Sequence, residues 1–362
     1  MFQNPNTDLI GRFEDWWRGE GKGLPLMWLV ARRDGANASA LAPKDDEDRY
    51  IGAGLKLSQI KAELANNLYL GDSYAQASSS IGPGSLAVYL GAKPVFASHT
   101  VWYESCLTDI RERPPIVFDP GNGWFARHME TLKALRAEAG DDFIVNIPDI
   151  VEGIDILAAL RGTQDLLVDM MDDPDAVIGA AGEVENAYFP CYDRIYDLVK
   201  TGGGVSSYYC FCVLGRGKVA KVQCDFSAMI STGQYRRFAL PGLREQIKRL
   251  ERSIYHLDGP DAIRHLPAIM EIGELNALQW TAGAGKPDGA SPEWYRIWDQ
   301  VAAAGKGMWV QIYDGGVDGW IESADRFIDR YGKRSCYLIF PYMSERDADK
   351  VMDHMLQRYS SD

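Results

Sequence analysis

The chain has 362 residues, with 38 Lys plus Arg against 51 Asp plus Glu, so its formal net charge is −13. Hydrophobic residues make up 46% and charged residues 25%, which is a globular composition and not a disordered one. An acidic chain of this kind is a poor general binder of nucleic acid or of anionic membranes. No apolar stretch reaches the length of a membrane span, and the start, MFQNPNTDLIGRFEDWW, lacks the basic and apolar run of a secretion signal. Six cysteines without a CxxC pair fit reduced thiols in the cytoplasm.

In chain order, residues 6–18 predict an amphipathic helix with Leu9, Ile10, Phe13, Trp16 and Trp17 on its apolar side. LPLMWLVAR (24–32) reads as a strand covered on both faces, and 45–67 as helix. The stretch 82–106, rich in turn residues and β-branched or aromatic runs, reads as an inserted hairpin or cap. A helix over 121–139, a buried strand over 143–150 and helices to about 199 follow. Further strands are predicted at 205–213, 219–226, 253–258, 275–280, 308–313 and 335–342, before a closing helix over 344–359. Eight strands, mostly separated by helices, predict an α/β fold of the (β/α)₈ TIM-barrel type, one domain over 1–362 with 82–106 inserted. The connection between the third and fourth strands is unusually short for such a barrel.

In a barrel, chemistry sits where the strands end at their C-terminal side. His256 and Asp258 are two residues apart on a strand, so they share a face, and Gly259-Pro260 then ends that strand. A His and a carboxylate so placed either bind a divalent metal, form an acid–base pair, or hold each other for purely structural reasons. Next door, Lys221, Gln223 and Asp225 alternate with Ala220, Val222 and Cys224, which makes Asp225 or Cys224 the candidate for a third metal ligand. Arg32 and Arg33 follow the first strand, where they either bind substrate carboxylates or phosphates or are simply solvated. Gln279, Trp280 and Tyr342 close the sixth and eighth strands. Gly82-Pro83-Gly84 lacks the strand–GxGxxG–helix context of a dinucleotide site, and there is no P-loop, GxSxG or HExxH motif.

The segments CDFSAMISTGQYRRFALPGLREQIKRL and SIYHLDGPDAIRHLPAIMEIGELNALQW resemble the second half of the uroporphyrinogen decarboxylase superfamily, through Phe238, Leu240, Pro241, His256, Gly259, Ile272, Gly273 and Leu278. LPLMWLVARR, with Trp28, resembles the family's Pro–Trp–Arg first strand. The resemblance implies a (β/α)₈ barrel with one deep cleft. Its decarboxylase branch uses no cofactor, and Asp72 in YLGDSYA is the nearest match to that branch's pyrrole-binding Asp. VARRDG, however, departs from the family's R-Q-A-G-R, and IFPYMSERD stands where a Gly-His-Gly is usual. The other branch comprises corrinoid-linked methyltransferases that bind zinc through H-x-C and a later Cys. This chain has the His, but Asp258 stands at the Cys position, and Phe340 or Pro341 at the later one.

The leading expectation is therefore methyl transfer with a corrinoid carried by a partner protein. A zinc or similar ion would be held by His256, Asp258 and Cys224 or Asp225, and substrate would be bound by Arg32, Arg33, Trp28, Gln279, Trp280 and Tyr342. The alternatives are a cofactor-free decarboxylase using Arg32, Arg33 and Asp72, and a non-catalytic ligand-binding barrel. A homodimer stays open.

Overall fold

The computed structural model describes residues 7–360, so Asn6 of the predicted first helix lies outside the described residues. The strands are β1 (Leu26–Arg32), β2 (Asn67–Gly71), β3 (Gln76–Ala77), β4 (Lys93–Phe96), β5 (Val101–Glu104), β6 (Ile144–Val145), β7 (Val205–Tyr208), β8 (Val213–Arg216), β9 (Val219–Gln223), β10 (Arg252–Asp258), β11 (Ala277–Thr281), β12 (Gly307–Gln311), β13 (Cys336–Ile339) and β14 (Met343–Ser344). A parallel ladder runs β9–β10–β11–β12–β13–β1, with β14 also parallel to β1 and β2 antiparallel to it. The strands of this ladder are nearly all apolar and buried because helices cover their outer side.

Among the described residues the ladders do not close into one ring. β3 pairs in parallel with β6, and a bridge from Ile147 to Tyr208 carries the arc on to β7. Serine hydroxyls span both remaining seams. Ser73 Oγ accepts from Leu29 N (2.5 Å) and donates to Leu29 O (3.0 Å), joining β1 to the approach of β3. Ser206 Oγ accepts from Val219 N (3.2 Å) and donates to Gly217 O (2.7 Å), joining β7 to β9. The expected eight strands thus differ in detail. β3 was not anticipated, because two residues carry no readable periodicity, and the strand expected over 143–150 is formed only at Ile144–Val145.

The strand expected over 205–213 is a hairpin instead. β7 stops at Tyr208, a turn of 3₁₀ helix follows, and Cys212 takes a left-handed φ of 51° that sends β8 back antiparallel. This explains the short connection before β9. The turn is drawn inside the strands: Trp309 Nε1 donates to Phe211 O (2.8 Å), Tyr337 Oη to Cys212 O (2.7 Å) and Gln76 Nε2 to Cys212 Sγ (3.1 Å).

The helix Thr7–Trp17 closes the end where the strands begin. Trp16 Nε1 bonds Ser335 O and Trp17 Nε1 bonds Leu214 O, both at 2.9 Å, so each indole is buried with its one donor satisfied. Burying each such side chain is worth roughly 1.5–3 kcal/mol. Gly307 is required there, since a Cβ would lie 3.1 Å from the Trp16 ring. Within 82–106, a short helix (Ser85–Tyr89) precedes the antiparallel hairpin β4–β5.

Candidate functional site

Parallel register aligns three polar side chains across the strand ends. His256 on β10 pairs with Gln223 on β9 and with Gln279 on β11. Period-two alternation then puts Lys221, Gln223, His256, Asp258 and Gln279 toward the interior, with Tyr255 and Leu257 toward the helices. Asp225, just beyond β9, joins this group: one potential ligand atom each from Asp225, His256 and Asp258 lies within 4.8 Å of the others. Gln279 Oε1 accepts from His256 Nδ1, and its amide nitrogen donates to Thr281 Oγ1 (2.8 Å). That contact places the imidazole proton on Nδ1 and leaves the Nε2 lone pair free to ligate.

Asp225 is aimed by Asp155, in the first turn of the helix Gly153–Arg161. The Asp155 carboxylate accepts from Asp225 N (2.8 Å), Phe226 N (2.9 Å) and Gln223 Nε2 (3.0 Å). Burial, and then the Asp155 charge, push the Asp225 carboxyl up to about 7. Burial, and then the Lys221 charge, hold the His256 imidazole below its ordinary pKa, so it is neutral and competent as a ligand near pH 7.

Beneath the group lies a buried ion pair. Lys221 Nζ donates to Asp149 Oδ2 (2.8 Å) and to Gln223 Oε1. Asp149 also accepts from Tyr208 Oη (3.1 Å) and Cys210 Sγ (3.2 Å). Burial works against both charges, but their mutual attraction and direct hydrogen bond keep Lys221 protonated and Asp149 ionised. Glu152 Oε1 accepts from Gln223 N (2.6 Å), and burial pushes this carboxyl up to about 8. Its Oε2 has no partner. Between Asp149 and Glu152, Val151 holds φ at +46°, a conformation that β-branched residues resist. Such strain costs on the order of 1–3 kcal/mol and gathers at functional sites.

The remaining predicted residues are placed elsewhere. Cys224 is buried on the face of β9 opposite Gln223 and is outside the Asp225–His256–Asp258 group; burial also pushes its thiol well up. Trp280 alternates outward and packs edge-on against Trp294, so it belongs to the helix layer. Asp72 lies at the opposite end of the sheet, where β1 begins, held by Arg12 (2.5 and 2.8 Å) and Met27 N (3.0 Å). Arg32 and Arg33 are exposed and donate to the carbonyls of Ala36 (2.5 Å), in the following loop, and Asn67 (3.2 Å), at the start of β2. Tyr342 is exposed and bonds Asn67 Oδ1 (2.6 Å). Trp28 packs edge-on against Tyr74. Asp149 ends the predicted second strand with Glu152 just beyond it, and Cys210 reads as core, but the pattern gives none of them a role and does not point to Asp155. The readable signal was Lys221, a charged residue in the middle of an otherwise buried strand.

The donor set fits a divalent ion. Two carboxylates and one imidazole converge, the imidazole is oriented from behind, and the absence of a thiolate shifts the preference from zinc alone toward harder ions as well.

No family model matches the chain, and no curated protein matches it. Its fold is similar to that of a methyltransferase from Methanosarcina mazei, with a TM-score of 0.63 at 11% identity over 99% of this chain and 99% of that one. No described helix is long and apolar enough to cross a membrane.

Proposed function

We propose that the chain is a (β/α)₈-type methyltransferase resembling the corrinoid-linked branch of the uroporphyrinogen decarboxylase superfamily. It exchanges a methyl group with a corrinoid on a partner protein, assisted by a divalent metal. The observation that carries this reading is the convergence of Asp225, His256 and Asp258 at the strand ends, and the full-length likeness to a methyltransferase supports it. When bound, the ion supplies Lewis acidity toward a thiol or a methylated substrate. The protein's own part is positional and electrostatic. Gln279 fixes the His256 tautomer, Asp155 aims Asp225, and Lys221 offsets the buried Asp149 charge. Glu152 holds a proton beside Gln223. The decarboxylase alternative loses its basis in geometry, since Arg32, Arg33 and Asp72 are not gathered at this site.

Equilibrium dialysis against zinc tests the reading. Wild type should bind one equivalent, while His256→Ala and Asp258→Ala should not; equal stoichiometry in all three sinks the metal site. Zinc-loaded protein should also change the methylcobalamin spectrum when a thiol acceptor is added, and Asp225→Asn should suppress that change.

A further inference from the structure

Between β9 and its covering helices lies a chamber of about 10 Å³, room for a single water molecule. Ile154, Ala239, Gly242 and the neutral Cys224 thiol are among its walls, and Glu152, Gln246 and Glu185 are polar members. Two of these polar side chains are almost wholly buried and lack partners. Glu152 is 3% exposed and its Oε2 is unpaired; Gln246 is 7% exposed and its Nε2 is unpaired. Leaving such groups dry is costly. A carboxyl oxygen and an amide donor that border one water-sized space satisfy what a buried water needs.

Glu185 reaches the same chamber from the helix Pro174–Val199. Its carboxyl takes the place of a side chain on Gly242, in the helix Leu240–Ile247: a Cβ there would lie 1.5 Å from Glu185 Oε1. A glycine inside a helix lowers its stability, and here it is what admits the carboxyl. That helix is entered through a π-helical turn, Tyr235–Ala239, whose last residue borders the chamber. Such turns are rare and gather at functional sites. Glu185 is only partly buried, so it also meets bulk water.

Both carboxyls exchange protons near neutrality. Burial raises Glu152 to about 8, with Lys221 opposing and Asp155 and Asp149 adding to the rise. Burial, and then the Glu245 charge, raise Glu185 to about 7. Tyr188, which also feels Glu152, stays neutral because burial lifts its hydroxyl well above its ordinary value.

We propose that the chamber binds one water, held by Glu152 and Gln246, and that this water carries the Glu152 proton to Glu185 and so to solvent. In each transfer the Glu152 O–H bond breaks as an O–H bond forms on the water. The water yields another of its protons to the Glu185 carboxylate, which then releases it to bulk water. Gln223 borders both this chamber and the strand-end cavity beside Asp225, the other way out. The chamber route leaves through the helix layer and does not depend on access to the strand ends. It stands apart from the metal and methyltransferase readings.

Infrared spectroscopy of the full-length protein at about pH 7.5, between the two values, tests it. The Glu152 carboxylic C=O band is identified by its loss in Glu152→Gln, and its downshift after mixing into D₂O times the exchange. Glu185→Gln, which keeps the side chain's shape, should slow that exchange about tenfold or more. Gly242→Ala should do the same by displacing the carboxyl. Glu245→Gln, outside the chamber, should leave the rate within about twofold. A crystal structure should show one water within hydrogen-bonding reach of Glu152 Oε2 and Gln246 Nε2. Exchange as fast in Glu185→Gln as in wild type, equal slowing in Glu245→Gln, a chamber without water, or no band that depends on Glu152 each overturns the proposal.

Discussion

Two ion pairs with a buried carboxylate stand at opposite ends of the parallel strands. Where β1 begins, Asp72 meets Arg12, whose guanidinium also donates to the carbonyls of Lys22, Leu24 and Pro25. Where the strands finish, Asp149 meets Lys221. Both carboxylates are nearly inaccessible, with side-chain exposures of 3% and 7%. What differs is the company. The further hydrogen-bond partners of Arg12 and Asp72 are backbone groups, with Asp8 and Asp15 acting on Arg12 only through their charge, so the pair acts as a rivet under the sheet. Asp149 and Lys221 are surrounded by Glu152, Cys210, Asp225 and His256, all moved from their ordinary pKa. Burial and pairing alone do not mark a functional site. A displaced, mutually coupled set of titratable neighbours does so more sharply.

The largest expected effect separates the two pairs by stability. Lys221→Met leaves Asp149 buried with only Tyr208 and Cys210 as donors and no counter-charge, which costs about 3–5 kcal/mol. Arg12→Met should cost less, about 1–2 kcal/mol, because the Arg12 side chain is 28% exposed and water reaches the site it leaves. Urea unfolding of the two variants measures both, and a larger loss for Arg12→Met would break the comparison.

Next in size is a pH effect confined to the strand-end region. Glu152 carries a folded-state pKa of about 8 against an ordinary 4.5, because burial favours its neutral form. The folded state therefore binds more protons than the unfolded one between those values, and this contribution, complete below about pH 4.5, is lost as pH rises through about 8. The loss should be on the order of a few kcal/mol. Glu152→Gln should flatten the decline in urea midpoint between pH 5 and 8, whereas Asp72→Asn should leave its slope unchanged. An unaltered slope in Glu152→Gln would mean that Glu152 is ionised in the folded protein.

A smaller effect belongs to Gln279, which touches His256 but is not a ligand. Gln279→Leu should weaken zinc binding about 10- to 100-fold by freeing the imidazole to rotate and change tautomer. The fold should survive, since the position is buried and leucine is similar in size. Zinc affinity unchanged in Gln279→Leu would leave the Gln279 contact as packing alone.

Much of this end was legible before any coordinates. The two-residue spacing of His256 and Asp258, and the polar alternation Lys221–Gln223–Asp225, fix which side chains look inward, because a strand has only two faces. The expectation that Trp280 binds substrate went against the same rule, which puts it on the outer face once the adjacent Gln279 is inside. The rule could not separate Cys224 from Asp225 while a bulge at the strand end remained conceivable. Asp149, Glu152 and Asp155 come from an irregular stretch around the strained Val151, which has no period to read. The hairpin at 205–216 was hidden because its turn, Tyr209–Cys212, is as apolar as the strands beside it. That turn packs into the interior, with the Phe211 ring tilted by 40° against the His256 ring at 5.5 Å, and its polarity follows its burial instead of its loop geometry.

The smallest expected effect concerns the feature that looked most like a substrate site. Arg32 and Arg33 end an apolar strand, and bidentate guanidinium pairs at strand tips are well suited to carboxylates and phosphates. Both side chains are exposed, however, and the carbonyls they bond belong to Ala36 and Asn67. An exposed hydrogen bond of this kind exchanges readily with water, so Arg32→Ala and Arg33→Ala should each change stability by less than about 0.5 kcal/mol. Neither should alter zinc stoichiometry, because neither guanidinium lines the cavity beside Asp225. The double variant sharpens the test. If the strand-end group takes a metal cation, removing two positive charges from the same end of the sheet should hold zinc affinity level or raise it slightly, more so at low salt. A tenfold fall in zinc affinity in the double variant would mean that the arginines support the strand-end site after all.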